Sequence, residues 1–169
     1  MNVGFERIAP APTYVIGTSR AALLGREWGD QSVVVETFKA TLKSELRALQ
    51  KGRCCFCRRV LFDDYATHLE HFVEKAQYAQ YTFEVQNLAL SCGTCNIQKN
   101  AQNRSLLAYL KARAKRGGKA ATPRCQTLTN ELSPGTPFPL TAASYRWVHP
   151  YFDDYSNNIL IERGWIFVG

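Results

Sequence analysis

Two cysteine pairs, Cys54-x-x-Cys57 and Cys92-x-x-Cys95, constrain this chain more than any other feature. They are separated by 34 residues, positions 58 to 91. Two such pairs can set four thiolates around one tetrahedral Zn²⁺, each pair chelating from a tight turn. Gly52 and Gly93 stand beside the pairs, where such turns are made. A thiol–disulfide motif needs only one CxxC, so the duplication favours zinc. The gap is longer than in a simple zinc ribbon, and a folded insert is expected between the two knuckles. Cys55 lies one residue from Cys57, a poor chelating distance, so Cys54 is the expected ligand and Cys55 a buried or neighbouring thiol. Cys125 stands alone and is expected to be free.

The rest of the composition narrows the setting. At 169 residues, 46% hydrophobic and 21% charged, the chain suits one domain with a real core. No run approaches the roughly 20 apolar residues of a membrane span, and the N-terminal "MNVGFERIAPAP" has no signal-type apolar stretch. A cytoplasmic protein is therefore expected, with reduced cysteines and no membrane partner. The net charge of +7 hints at a polyanion such as nucleic acid. Neither HExxH nor HxxEH occurs, which disfavours a zinc protease.

Apolar periodicity divides the chain into an N-terminal segment (1–52), a cysteine-bearing core with a following basic helix (53–116) and a Pro-containing loop ending in a hairpin (117–169). "TYVIGTS" at Thr13–Ser19 suits a short strand and "RAALLGREW" a helical turn or two. Val34, Val35, Phe38, Leu42, Leu46 and Leu49 recur at three- and four-residue steps and predict an amphipathic helix over 33–50, with Asp30 or Ser32 as cap and Gly52 as stop. Lys39, Lys43, Arg47 and Lys51 fall on its other faces and read as solvated. Arg59–Phe62 and Thr67–Phe72 are β-prone. Leu106, Leu107 and Leu110 predict a helix capped by Asn103 and ended by Gly117. Ile159–Glu162 and Trp165–Val168 predict a hairpin around Arg163-Gly164. Gly169 falls within that last apparent strand, so the chain is expected to continue or to pair with another. In "WVHPYFDDYS" a second metal site on His149, Asp153 and Asp154 competes with a capped turn, and the turn explains it with less.

The insert supplies the chemistry. "THLEHFVEK" sets Glu70 directly before His71, and "EVQNLALSCGTCNIQK" supplies Asn87 and then Asn96 just after the last cysteine. In order, C-x-x-C, Glu-His, Asn87-Leu88 and C-x-x-C-Asn-x-x-Lys resemble the HNH nucleases, the ββα-metal group, over Cys54 to Lys99. Many members carry Asp where Glu70 stands and His where Asn96 stands. The resemblance implies an α+β fold: a ββα-metal HNH core stapled by a four-cysteine zinc site, with flanking helices and a C-terminal β-hairpin. It also implies that Asn87 constrains the loop between the β-hairpin and the helix.

Phosphodiester hydrolysis needs an activated water, stabilised charge on the phosphoryl oxygens and help for the leaving oxygen. His71 can accept the proton of water. Glu70 and Asn96 offer hard oxygens suited to Mg²⁺ or Mn²⁺. Adjacent residues on a strand face opposite ways, so a bend must let Glu70 and His71 share one site. Lys75 and Lys99 are candidate phosphate contacts, while His68, on the same strand face as Glu70, suits a structural place. The resulting expectation is an HNH endonuclease acting on nucleic acid, DNA foremost. The preceding helix, "EHFVEK" and "HPYFDDYSNNI" resemble prokaryotic antiphage effectors of the Septu and retron-associated kind, which implies an ATPase partner. A non-catalytic zinc-stabilised nucleic-acid-binding module and an assembly scaffold are the competing classes. Neither of them requires Glu70-His71 together with Asn96.

Overall fold

The computed structural model describes residues 4–14, 18–99, 125–161 and 167–168, together with positions 108 and 112. A single helical turn, α1 (Arg20–Leu23), precedes the long helix α2 (Val33–Leu49). Val35, Phe38, Leu42 and Leu46, spaced by three and four, are the side chains α2 buries. At its start Asp30 Oδ1 accepts from the Ser32 amide at 2.7 Å, while the Ser32 hydroxyl makes no capping bond. At its end Lys51 (φ 51°) and Gly52 (φ 63°) both turn left-handed. Their amides return to Ala48 O (3.1 Å) and Arg47 O (2.8 Å), crossed bonds that satisfy the last carbonyls.

The insert is an antiparallel pair, β1 (Thr67–His71) and β2 (Leu88–Cys92), with Glu70 opposite Ala89 and His71 opposite Leu88. Helical backbone, α3, follows β2 directly over residues 93–99. The β-prone segment Arg59–Phe62 does not become a strand. Only one bridge forms there, Arg53 to Val60. Arg58 is left-handed (φ 58°), and the Leu61 amide bonds to Gly52 O at 2.8 Å, so the segment closes the knuckle instead of extending. The described ends of Thr13–Ser19 carry no strand, and positions 15–17 lie outside the described residues. So does nearly all of the helix expected around Leu106–Leu110, with its Asn103 cap and Gly117 stop. At the C-terminus β3 (Leu160–Ile161) pairs antiparallel with β4 (Phe167–Val168) in hairpin register, and positions 162–166 of the expected hairpin lie outside the described residues.

Two apolar clusters hold these pieces. One joins α2, the first knuckle and β2 with Phe5, Ile8 and Tyr151. The other gathers Phe72, Tyr81, Leu128, Phe138 and Tyr145 behind the loop that links β1 to β2. Burial of this apolar area, at about 25 cal/mol per Å², is the main force fixing the insert against α2.

Candidate metal centre and adjoining cleft

The two knuckles meet. The Sγ atoms of Cys54, Cys57, Cys92 and Cys95 all lie within 4.8 Å of one another, and Cys57 Sγ stands 3.8 Å from Cys92 Sγ. A tetrahedron with metal–sulfur arms of about 2.3 Å has edges of about 3.8 Å, so the spacing fits a metal ion. Backbone amides already point at the sulfurs: Cys92 N–H donates to Cys54 Sγ (3.3 Å) and Cys95 N–H to Cys92 Sγ (3.5 Å). Hydrogen bonds from Cys55, Cys57, Cys92 and Cys95 pull the Cys54 thiol far down, and bonding to Cys54 in turn pushes Cys57, Cys92 and Cys95 up. Four thiolates so close together need a cation to coexist. Cys55 is left out of the cluster, and burial raises its thiol well above the ordinary value. Cys125 is a free buried thiol beside the Thr127 hydroxyl.

A cleft of about 490 Å³ is lined by Asn96, the residue that follows Cys95 of the cysteine cluster. Glu70 and His71 from the end of β1, Asn96 and Lys99 from α3, and Glu74 and Lys75 from the loop after β1 all line it. β1 stops at His71, where the chain turns, and this lets neighbours of opposite pleat share one cavity. His71 is buried, with its Nε2 2.9 Å from Thr82 O. A carbonyl only accepts, so Nε2 carries the proton and Nδ1 keeps a free lone pair. The Trp28 ring meets the imidazole edge-on, centroids 4.4 Å apart. Burial first, then the Lys75 charge, push the His71 pKa down to about 3, against the opposing pull of the Thr82 carbonyl. His71 is thus neutral at physiological pH.

Glu70, although it lines the cleft, already has a partner. Lys99 Nζ donates to its Oε1 at 2.5 Å and also to the His71 carbonyl, with only 2% and 9% of the two side chains exposed. Lys99, expected as a phosphate contact, is therefore buried in an ion pair, whereas Lys75 is exposed at the rim. Asn87 is wholly buried and absent from the cleft lining. Its Oδ1 accepts from Val73 N–H (2.6 Å), and its Nδ2 donates to Val73 O and Tyr81 O (3.0 Å each). The loop it constrains is the one between the two strands, not one between hairpin and helix, because Asn87 immediately precedes β2. His68 is exposed on the cleft lining near Gly93, where an added Cβ would sit 3.5 Å from its Nε2. His149, Asp153 and Asp154 build no second cluster among the described residues. Asp153 Oδ2 instead accepts from the His149 amide at 2.7 Å and caps the turn.

Four cleft residues escaped the sequence reading. Lys39 and Lys43 of α2, read as solvated, form its far wall. Trp28 comes from the N-terminal segment, with no local signal to announce it. Glu74 stands four residues after Glu70 in "EHFVEK", a spacing that could have drawn notice. Its Oε1 is buried without a hydrogen-bond partner, and burial raises its carboxyl above the ordinary range.

Neither the curated proteins nor the solved structures offer a match to the chain. A family model described as HNH endonuclease matches residues 54–102, the span that carries all four clustered cysteines, β1, β2 and the cleft residues Glu70, His71, Glu74, Lys75, Asn96 and Lys99.

Proposed function

We propose that this chain is a metal-dependent HNH endonuclease that hydrolyses nucleic-acid phosphodiester bonds, DNA foremost, with Zn²⁺ held by Cys54, Cys57, Cys92 and Cys95. The observation that carries the reading is the cleft itself: an imidazole with a bare Nδ1 beside two hard oxygen donors, Glu70 and Asn96, on a scaffold joined to the cysteine cluster. Mg²⁺ or Mn²⁺ on Glu70 and Asn96 would supply charge stabilisation for the phosphoryl oxygens and the leaving oxygen. His71 Nδ1 takes a proton from the attacking water as its oxygen bonds to phosphorus. The P–O ester bond breaks, and the leaving oxygen takes its proton from solvent. The Thr82 carbonyl fixes the tautomer and stays the acceptor for the Nε2 proton when the ring becomes an imidazolium. Burial opposes that imidazolium, so the negative charge of the bound phosphodiester must offset it. Exposed Lys75, with Lys39 and Lys43 across the cleft, supplies positive charge for the backbone.

The resemblance to Septu and retron-associated effectors supports a cytoplasmic antiphage role beside an ATPase partner. Plasmid nicking with Mg²⁺ or Mn²⁺ tests the core of the proposal. His71→Ala should lose about 10²–10⁴-fold in rate with zinc content and fold unchanged. Cleavage at the wild-type rate by His71→Ala, across several metals and substrates, would reject it. A wild-type protein that binds DNA but never cuts would favour the non-catalytic module.

A further inference from the structure

Lys99 is among the most buried cations of the described residues, and it sits on the carboxylate that the proposed reaction needs. We propose that Lys99 is a resident counter-cation of the Glu70 site, which a divalent ion must displace, and that Glu74 receives the displaced ammonium. The inference rests on the reading of Glu70 as a metal ligand.

Three observations carry it. First, Lys99 Nζ is 2.5 Å from Glu70 Oε1, and the same ammonium donates to the His71 carbonyl, so it stands at the junction of the two residues. A divalent ion on the same carboxylate would lie close to this ammonium, and a buried site screens the repulsion between the two cations poorly. Second, with Lys99 on Glu70 the pair is neutral. Adding a doubly charged ion without moving Lys99 would leave the cleft strongly positive beside exposed Lys75. Third, a displaced ammonium needs an anion, since an unpaired buried charge is strongly destabilising. Glu74 Oε1 is the buried carboxylate oxygen in this cleft that lacks a hydrogen-bond partner, and Lys99 and Glu74 already attract each other. The acceptor is in place before the ion arrives. Such a site holds its shape without metal and resists weakly bound cations.

Mn²⁺ binding to the purified zinc-loaded chain, followed by the EPR signal of free Mn²⁺, reads this without any turnover. Lys99→Gln, which keeps a donor for the His71 carbonyl, should bind Mn²⁺ tighter by about tenfold or more, the scale of one buried ion pair. Equal or weaker binding would overturn the proposal. Glu74→Gln should weaken Mn²⁺ binding in the wild-type background and leave it unchanged in Lys99→Gln. Equal weakening in both backgrounds would make Glu74 a ligand and sink the hand-over. Glu70→Gln is the separate control: wild-type Mn²⁺ affinity in that variant would reject Glu70 as a ligand, and with it the underlying site. If Lys99→Gln loses its zinc, reductive methylation of the wild-type protein decides. Lys99 labelling, read by mass spectrometry, should rise several-fold on adding Mg²⁺, and unchanged labelling would count against displacement.

Discussion

Two buried amides, Gln50 and Asn87, each stand in for a missing strand. Gln50, just past α2, accepts from Leu90 N–H at 2.7 Å and donates to Leu90 O (3.0 Å) and Arg53 O (2.8 Å). It thereby satisfies the outer edge of β2, a short strand with one partner, and locks α2 to the knuckle. Asn87 treats Val73 in the same way. Leu90 O keeps a second donor in the Cys55 amide, but among the described residues the Leu90 and Val73 amides bond only to these side-chain oxygens, so losing the side chain leaves a buried N–H unpaired. Gln50→Leu, close in volume, should therefore cost about 2–3 kcal/mol, seen as a lower urea midpoint with unchanged slope. A loss below a few tenths of a kcal/mol would mean the β2 edge is satisfied in some other way. Asn87→Ala acts further away. It frees the loop that carries Thr82, so the His71 tautomer loses its anchor, and cleavage should fall while zinc content stays constant. A zinc-loaded Asn87→Ala that cleaves at full rate would show that the loop holds Thr82 without it.

At the scale of elements, the C-terminal segment acts as a clamp. Tyr151 Oη donates to Val85 O and Leu88 O, and Tyr155 Oη to Phe56 O, tying β2 and the first knuckle to the end of the chain. Arg58, buried between the Phe5 and Tyr155 rings (3.6 and 3.9 Å), donates to Cys55 O and Glu6 O and joins the N-terminal segment to the same clamp. At the centre sits His149, fully buried against Phe72, Tyr145 and Phe152, with Nδ1 accepting from Tyr151 N–H. Burial depresses its pKa from 6.5 to about 3. Between those values the unfolded chain binds the proton and the folded chain does not. Stability is therefore full above pH 6.5 and falls with pH, by about 1.4 kcal/mol per unit for this histidine. His149→Phe should lose that share of the slope, measured by urea unfolding between pH 6.5 and 5.5. Identical slopes in the two proteins would place the acid sensitivity elsewhere.

For the whole molecule, the four-cysteine cluster is the point where the two ends of the insert meet. The first knuckle, the end of β2 and the first turn of α3 carry the cysteines, while the sheet beside them has only two strands. Two-stranded pairs are marginal alone, and metal-binding energy becomes folding energy. About one zinc per chain is expected by elemental analysis. Chelation under reducing conditions should collapse amide dispersion across residues 54–99 and abolish cleavage together. Protein that keeps its native spectrum after complete zinc removal would show that the apolar clusters suffice.

Much of this was legible in local pattern. Thiolate chelation acts over three residues, so Cys54, Cys57, Cys92 and Cys95 declared themselves. Helical periodicity acts over four, so α2 and its stop were visible, and Glu70-His71 with Asn96 singled out residues that do line one cleft. What sequence could not decide depends on contacts between distant segments. The burial that keeps His71 neutral comes from packing against distant segments such as Trp28, and it outweighs the Thr82 carbonyl, which favours the charged ring. Lys99, a surface lysine by composition, is buried because the helix after β2 brings it onto Glu70. Arg59–Phe62 had strand propensity but no edge to pair with once Arg58 turned the chain. Spacing along one segment sets which groups can chelate or share a helix face. Only packing removes water, and desolvation decides which of those groups are charged, which are neutral, and which partner each one meets.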